Sequence, residues 1–248
     1  MQMLRAGGDY LVGERRKSGT LFLTIAGAGA AAATALGVSL HPLAAAVAGI
    51  VVAPAAAKAY RRRRRFQKGI QGESAVAELL QSLPNDYFLL NDVVLPGHPG
   101  NIDHVVIGPC GVVVIETKNY SGHVQSRHNA WFVNGLPRPS VSKQVNRAAI
   151  AVREALTRVH PELGDSVLRF VDSVAVFTNP SSRVSVDRAQ TTIARYSQLL
   201  DVILAKARRK RVAPAVAARL AKSLLEALPD GAVPAPGARA LATAGSRG

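Results

Sequence analysis

The stretch that most constrains the fold is 101–120, Asn-Ile-Asp-His-Val-Val-Ile-Gly-Pro-Cys-Gly-Val-Val-Val-Ile-Glu-Thr-Lys-Asn-Tyr. Two apolar runs flank Gly108-Pro109-Cys110-Gly111, which predicts a β-hairpin. Alternate side chains of a strand share a face, so Glu116 and Lys118 point the same way, with Val112 and Val114 behind them. In an antiparallel pair, Asp103 at the start of the first run comes close to Glu116 near the end of the second. Two carboxylates and an ammonium then gather at one edge of an apolar sheet. Adjacent carboxylates raise each other's pKa, and a partly buried lysine loses hydration. A divalent cation relieves that conflict, and carboxylate oxygens suit a hard ion such as Mg²⁺ (or Mn²⁺). Such an ion polarises a phosphodiester and lowers the pKa of water, while a lysine orients that water or steadies developing charge. An isolated Glu-x-Lys is more often a surface salt bridge. Asp103 on the neighbouring strand is what shifts the reading.

The chain of 248 residues carries a net charge of +15, so an acidic partner is expected, either nucleic acid or anionic lipid. Its single cysteine, Cys110, excludes an intramolecular disulfide and a cysteine zinc site, and reads as a small turn residue. Residues 1–19 are polar and are expected to be disordered or a short helix. From Thr20 to Leu40 no residue is charged, a length that matches a membrane-spanning helix. His41-Pro42 breaks the run, and a second apolar run over about 43–59 precedes Arg61–Arg65. Basic residues outside both ends and none between predict a helical hairpin with both ends cytoplasmic. A single span and a soluble helix are the rival readings, and a signal peptide fits poorly with the length of the run and the arginine block behind it. Arg61–Arg65, directly after the apolar run, reads as a juxtamembrane anchor on anionic lipid, with a nucleic-acid contact as its rival.

Lys68 to Leu83 reads as an amphipathic helix whose stripe is Glu73, Val76, Leu80 and Leu83, so Glu73 lies on the apolar face. Glu73 is either a helix-end charge or a group pointing into a site. Tyr87–Leu95 is expected to be a strand, and 96–100 a loop. His123–Gln125 and Trp131–Val133 suggest a small strand pair, with Asn134-Gly135 as a hairpin turn. Trp131 is expected to pack, with stacking on a base as the alternative. Pro139–Val159 is a helix in which Gln144 borders the apolar stripe near the start. Phe170–Thr178 reads as a buried strand, 191–194 as a short strand, and 197–211 and 215–228 as helices. Residues 229–248 are Ala-, Gly- and Pro-rich and are expected to be disordered. Helices separated by strands within one domain predict α/β with a mixed sheet.

Gly69-Ile70-Gln71-Gly72-Glu73, Asn101-Ile102-Asp103-His104-Val105-Val106, Gly111 through Ile115-Glu116-Thr117-Lys118-Asn119-Tyr120-Ser121-Gly122, and Lys143-Gln144 follow one another at spacings that resemble the nuclease-related domain, NERD. The resemblance covers 69–180. It implies the fold of the restriction-endonuclease-like, PD-(D/E)XK nucleases with an αβββαβ core. It implies Asp103 and Glu116 as metal ligands, Lys118 as the catalytic lysine, and accessory roles for Glu73 and Gln144. Ile102 stands where the wider motif has proline. The expected organisation is a polar segment (1–19), a membrane hairpin (20–60), a basic linker (61–68), the nuclease-like domain (69–180), a C-terminal strand and helices (181–228) and a tail (229–248). The expected function is a Mg²⁺-dependent nuclease for DNA or RNA, held on the cytoplasmic side of the cell membrane. The alternatives are a non-catalytic nucleic-acid-binding or signalling module, or a membrane scaffold.

Overall fold

The computed structural model describes residues 1–5 and 42–229. Contacts divide the chain into two compact units, 1–7 with 72–248, and 8–71. The core order is α1 (Pro42–Leu80), β2 (Phe88–Val93), β3 (Ile102–Gly108), β4 (Gly111–Lys118), α2 (Val141–Val159) and β8 (Asp172–Phe177). This is mixed α/β, with the αβββαβ succession. Between β4 and α2 lie three short strands, β5 (His123–Arg127), β6 (Ala130–Val133) and β7 (Leu136–Arg138). After β8 come β9 (Arg183–Asp187), β10 (Thr192–Arg195), α3 (Leu199–Lys210) and α4 (Pro214–Glu226).

The main sheet has the order β1-β2-β3-β4-β8-β10, where β1 is Gln2–Arg5. β3 pairs antiparallel with both β2 and β4, whereas β8 runs parallel to β4. The 101–120 hairpin is therefore central, and Gly111 turns it with φ +78°, a conformation that favours glycine. Strand parity sorts its side chains. Val105, Ile107, Val112 and Val114 pack under α2 and α4, through residues such as Val145, Val152, Leu220 and Leu224. Val106, Val113 and Ile115 face the opposite way and pack on Val76 and Leu80 of α1 and on Leu199 and Ile203 of α3. Helices thus cover both faces, as a sheet whose central strands are buried on both sides requires. The position of α2 is fixed at its far end, where its C-cap residue His160 shares a hydrogen bond with Ser223 of α4 at 2.8 Å.

In the second sheet, β7-β6-β5-β9, Asn134-Gly135 turns β6 into β7, both residues with positive φ. It packs on the end of β8, where Trp131 stacks on Phe177 with centroids 5.9 Å apart. Trp131 is buried, so it packs rather than offering a face to a base.

Several expectations are revised. Residues 2–5 form β1, paired parallel to β2, rather than a disordered or short helical segment. The strand supplies Leu4 to the core, which a pattern of four residues does not announce. Phe170 lies outside the strand expected there and is exposed, because β8 begins at Asp172, clamped by Lys206 and Lys210 of α3. Residues 61–68 continue α1, with the side chains of Arg61–Arg65 exposed. The first apolar run of the expected membrane hairpin, about 20–40, lies outside the described residues, and the second lies on α1. Among the described residues no helix is long and apolar enough to cross a membrane.

Candidate active site

The β3–β4 register continues past His104↔Ile115 to set Asp103 opposite Glu116. Asp103 accepts a hydrogen bond from the Thr117 backbone N–H at 2.7 Å, which fixes its carboxylate across the hairpin. Lys118, two residues beyond Glu116 and on the same face, donates its Nζ to Glu116 Oε1 at 2.5 Å. It also donates to Gln144 Oε1 in the first turns of α2 at 3.1 Å. Asp103, Glu116, Lys118 and Gln144 therefore converge at one end of the central strands. Glu73 approaches from α1 and couples electrostatically to Glu116, Asp103 and Lys118.

The charges conflict. Burial raises the Asp103 pKa well above the usual range, and the neighbouring Glu116 and Glu73 add to the rise, against the Thr117 amide and Lys118. Burial, then Glu116 and Asp92, pushes Glu73 up to about 7, with Lys118 opposing. For Lys118, burial pulls the pKa down, but the charge and hydrogen bond of Glu116, helped by Tyr120 and Asp103, outweigh it and the net shift is upward. The ammonium is thus firmly charged, and one cation faces a cluster of acids.

Asp92 is a fourth carboxylate, one that no strand or helix periodicity singles out. It is 5% exposed, accepts from Asn101 Nδ2 at 2.6 Å, and has φ +54° in the left-handed region. Regular alternation sets Leu90 and Val93 on opposite faces, yet both enter the same core cluster, because the backbone turns over at Asp92. The available signal was Asn91-Asp92 interrupting an apolar strand, since these two residue types tolerate that conformation.

Gly72, next to Glu73, lets α1 approach the strand ends. A Cβ there lies 2.9 Å from Thr178 Oγ1 and 3.2 Å from Asn119 Cβ. Gly72→Ala gains about 1 kcal/mol of helix propensity but crowds this contact, at a cost of about 1–3 kcal/mol. We expect a net loss of stability in urea unfolding. A net gain would show that α1 does not press on the strand ends through this residue.

A groove of about 400 Å³ opens beside Glu116, lined among others by His98, Asn101, Lys143, Gln144 and Arg147.

A mixed sheet with helices on both faces, carrying carboxylates and a lysine at the ends of its central hairpin, is an α/β domain with an acid–lysine site. Residues 68–178 match the family model described as the nuclease-related domain, NERD. An uncharacterized protein of Bacillus anthracis is 40% identical over 67 residues, a match covering 25% of this chain and about a third (32%) of that protein. The solved structure of Pyrococcus furiosus SfsA in complex with Ca²⁺ aligns over 59% of this chain and 54% of its own at 12% identity. Its TM-score of 0.26 is too low to bear on fold or function.

Proposed function

We propose that the protein is a membrane-anchored, divalent-metal-dependent nuclease that hydrolyses phosphodiester bonds of DNA or RNA. The convergence of Asp103, Glu116, Lys118 and Gln144 on one strand end supports this reading most directly. The donor set suits Mg²⁺ or Mn²⁺. Among the described residues no group of three His, Cys, Asp or Glu side chains is placed to hold a metal ion. Two carboxylates with room for water and phosphate oxygens are the usual holding for Mg²⁺. The buried, mutually repelling Asp103 and Glu116 would hold the ion. When bound, such an ion polarises phosphoryl oxygens and makes water more acidic.

The chain's own groups do the rest. Lys118 presents a permanent cation whose direction is set by Glu116 on one side and the Gln144 carbonyl oxygen on the other. It steadies the negative charge that builds on the phosphoryl oxygens as water adds. The water's proton leaves, the P–O bond to the departing sugar breaks, and that sugar oxygen takes a proton. Glu73, with a pKa near neutrality, is a group able to hold or release one there. The exposed basic block Arg61–Arg65 would contact anionic headgroups, placing the domain on the cytoplasmic side.

Purified full-length protein in detergent should cut plasmid, single-stranded DNA or RNA with Mg²⁺ or Mn²⁺, and none of them in EDTA. Nucleic-acid binding without cleavage under any divalent metal would instead favour a non-catalytic module. Membrane fractions should retain the chain in high salt, and release by salt alone would contradict a spanning anchor.

A further inference from the structure

We propose that the groove beside Glu116 is a phosphate subsite for the substrate strand, in which Lys143 and Arg147 hold a backbone phosphate flanking the linkage that is cut. The inference rests on the nuclease reading above and adds where the strand lies.

Lys143 and Arg147 are four apart on α2, so they share a face. Both are exposed, and among the described residues neither side chain makes an ion pair or hydrogen bond, while both line the groove. Other basic residues of the domain are committed to the fold. Arg153 donates to the Leu168 carbonyl, Arg219 pairs with Glu162, and Lys206 and Lys210 both bind Asp172. Two like charges on adjacent turns repel, and the one carboxylate lining the groove, Glu116, is paired with Lys118 instead. The first turn of α2 carries no acidic residue, although acids are favoured there, and its positive end is capped only by the neutral Ser140 hydroxyl, which accepts from the Lys143 N–H. The groove is a concave, cationic surface whose inner wall includes Glu116 and Gln144, two members of the site.

That arrangement selects a ligand. A small anion would leave most of the groove empty. A base still paired to its partner strand does not enter a space of about 400 Å³, a volume near the low end of the ~300–1,000 Å³ range of small-molecule sites. A single nucleotide unit of a strand fits, with its phosphate between the ammonium of Lys143 and the guanidinium fork of Arg147. The next phosphate along the strand then reaches Glu116 and Lys118. The site would accordingly take single-stranded or locally opened nucleic acid.

The test is binding of a fluorescein-labelled single strand of about 16 nucleotides, the upper end of single-strand site sizes, to the full chain in detergent with EDTA. Binding is read by anisotropy over a range of salt. Lys143→Ala/Arg147→Ala should weaken binding about tenfold or more, and should lower the slope of log affinity against log salt by about 0.7 per lost phosphate contact. The melting temperature should not fall, since both side chains are exposed and unpaired and their mutual repulsion is removed. In Mg²⁺ the same variant should raise KM far more than it lowers kcat. Arg208→Ala/Arg209→Ala removes two exposed arginines from α3, at the opposite end of the strands where Val212 N–H meets Pro109 O, and should leave the slope as in wild type. Wild-type cleavage with unaltered binding by the Lys143/Arg147 variant overturns the subsite and leaves the nuclease reading standing. An equal loss from the Arg208/Arg209 variant also overturns it, as diffuse charge. Absence of both binding and cleavage in wild type removes the nuclease reading and the subsite with it.

Discussion

Asp103→Asn should yield a protein that is more stable than wild type without metal and unable to cleave. Asp103 is buried, and its folded pKa lies well above the unfolded value. A carboxyl of that kind supports the fold while protonated, below its unfolded pKa, and loses that support as pH rises through the folded pKa. At pH 8 the folded protein either strips the proton or keeps it against solvent, and both cost free energy. Asparagine removes the cost and still offers an oxygen to the Thr117 N–H. The gain is on the order of 1–3 kcal/mol, the usual cost of a poorly compensated buried polar group. Cleavage should fall by about 10³-fold or more, roughly 4 kcal/mol of barrier. Lys118→Ala should lose activity as severely, yet with the opposite effect on stability, because it strips Glu116 of its counter-ion in a half-closed site. Mg²⁺ should raise the melting temperature of wild type and leave that of Asp103→Asn almost unmoved. Calorimetry at pH 8 with and without Mg²⁺ measures all three. A destabilised Asp103→Asn protein that still cleaves would remove Asp103 from the site.

His104, beside Asp103 but on the other face, should dominate the acid limb of stability. Burial lowers its pKa to about 3. Asn91 Oδ1 lies 2.7 Å from Nδ1, an acceptor that calls for a proton on Nδ1, and Nε2 is buried with no partner, which disfavours a second proton there. A group depressed in this way stabilises the fold above its unfolded pKa, near 6.5, and the contribution is lost as pH falls toward 3. The full loss is about 5 kcal/mol, at roughly 1.4 kcal/mol per pH unit. Glu73, raised to about 7, works against it, because its support for the fold grows as pH falls from 7 toward 4.5. The clean observable is therefore a difference. His104→Leu leaves the Asn91 oxygen without its donor, a constant penalty. Against wild type, its stability deficit in urea should shrink by about 1.4 kcal/mol for each pH unit below 6.5. Parallel curves for the two proteins would show that His104 is not buried as described.

The parts of this molecule written in local pattern were legible in the chain. The 101–120 hairpin follows from two apolar runs and a glycine turn, and its parity alone places Asp103, Glu116 and Lys118 together. Gln144 was an ambiguous residue at the border of a helical stripe, and its approach to Lys118 depends on how α2 docks on β4. What escaped was set by non-local contacts. β1 is four residues long and finds its partner more than 80 positions away. β9 is mostly exposed, so it has no buried alternation to betray it. Asp92 owes its place to a left-handed backbone turn inside a strand. The cationic groove needs the 96–100 loop to face α2, which no spacing rule encodes.

The pairing of β1 with β2 carries a topological consequence. Gln2 and Phe88 sit in one ladder, and the first residues and Gly72 onward belong to one compact unit. The chain from 8 to 71 is therefore an excursion that begins and ends at the same body. Any barrier it enters must be crossed an even number of times, since one crossing would put two hydrogen-bonded strands on opposite sides. If this chain is held in a bilayer, it goes out and comes back.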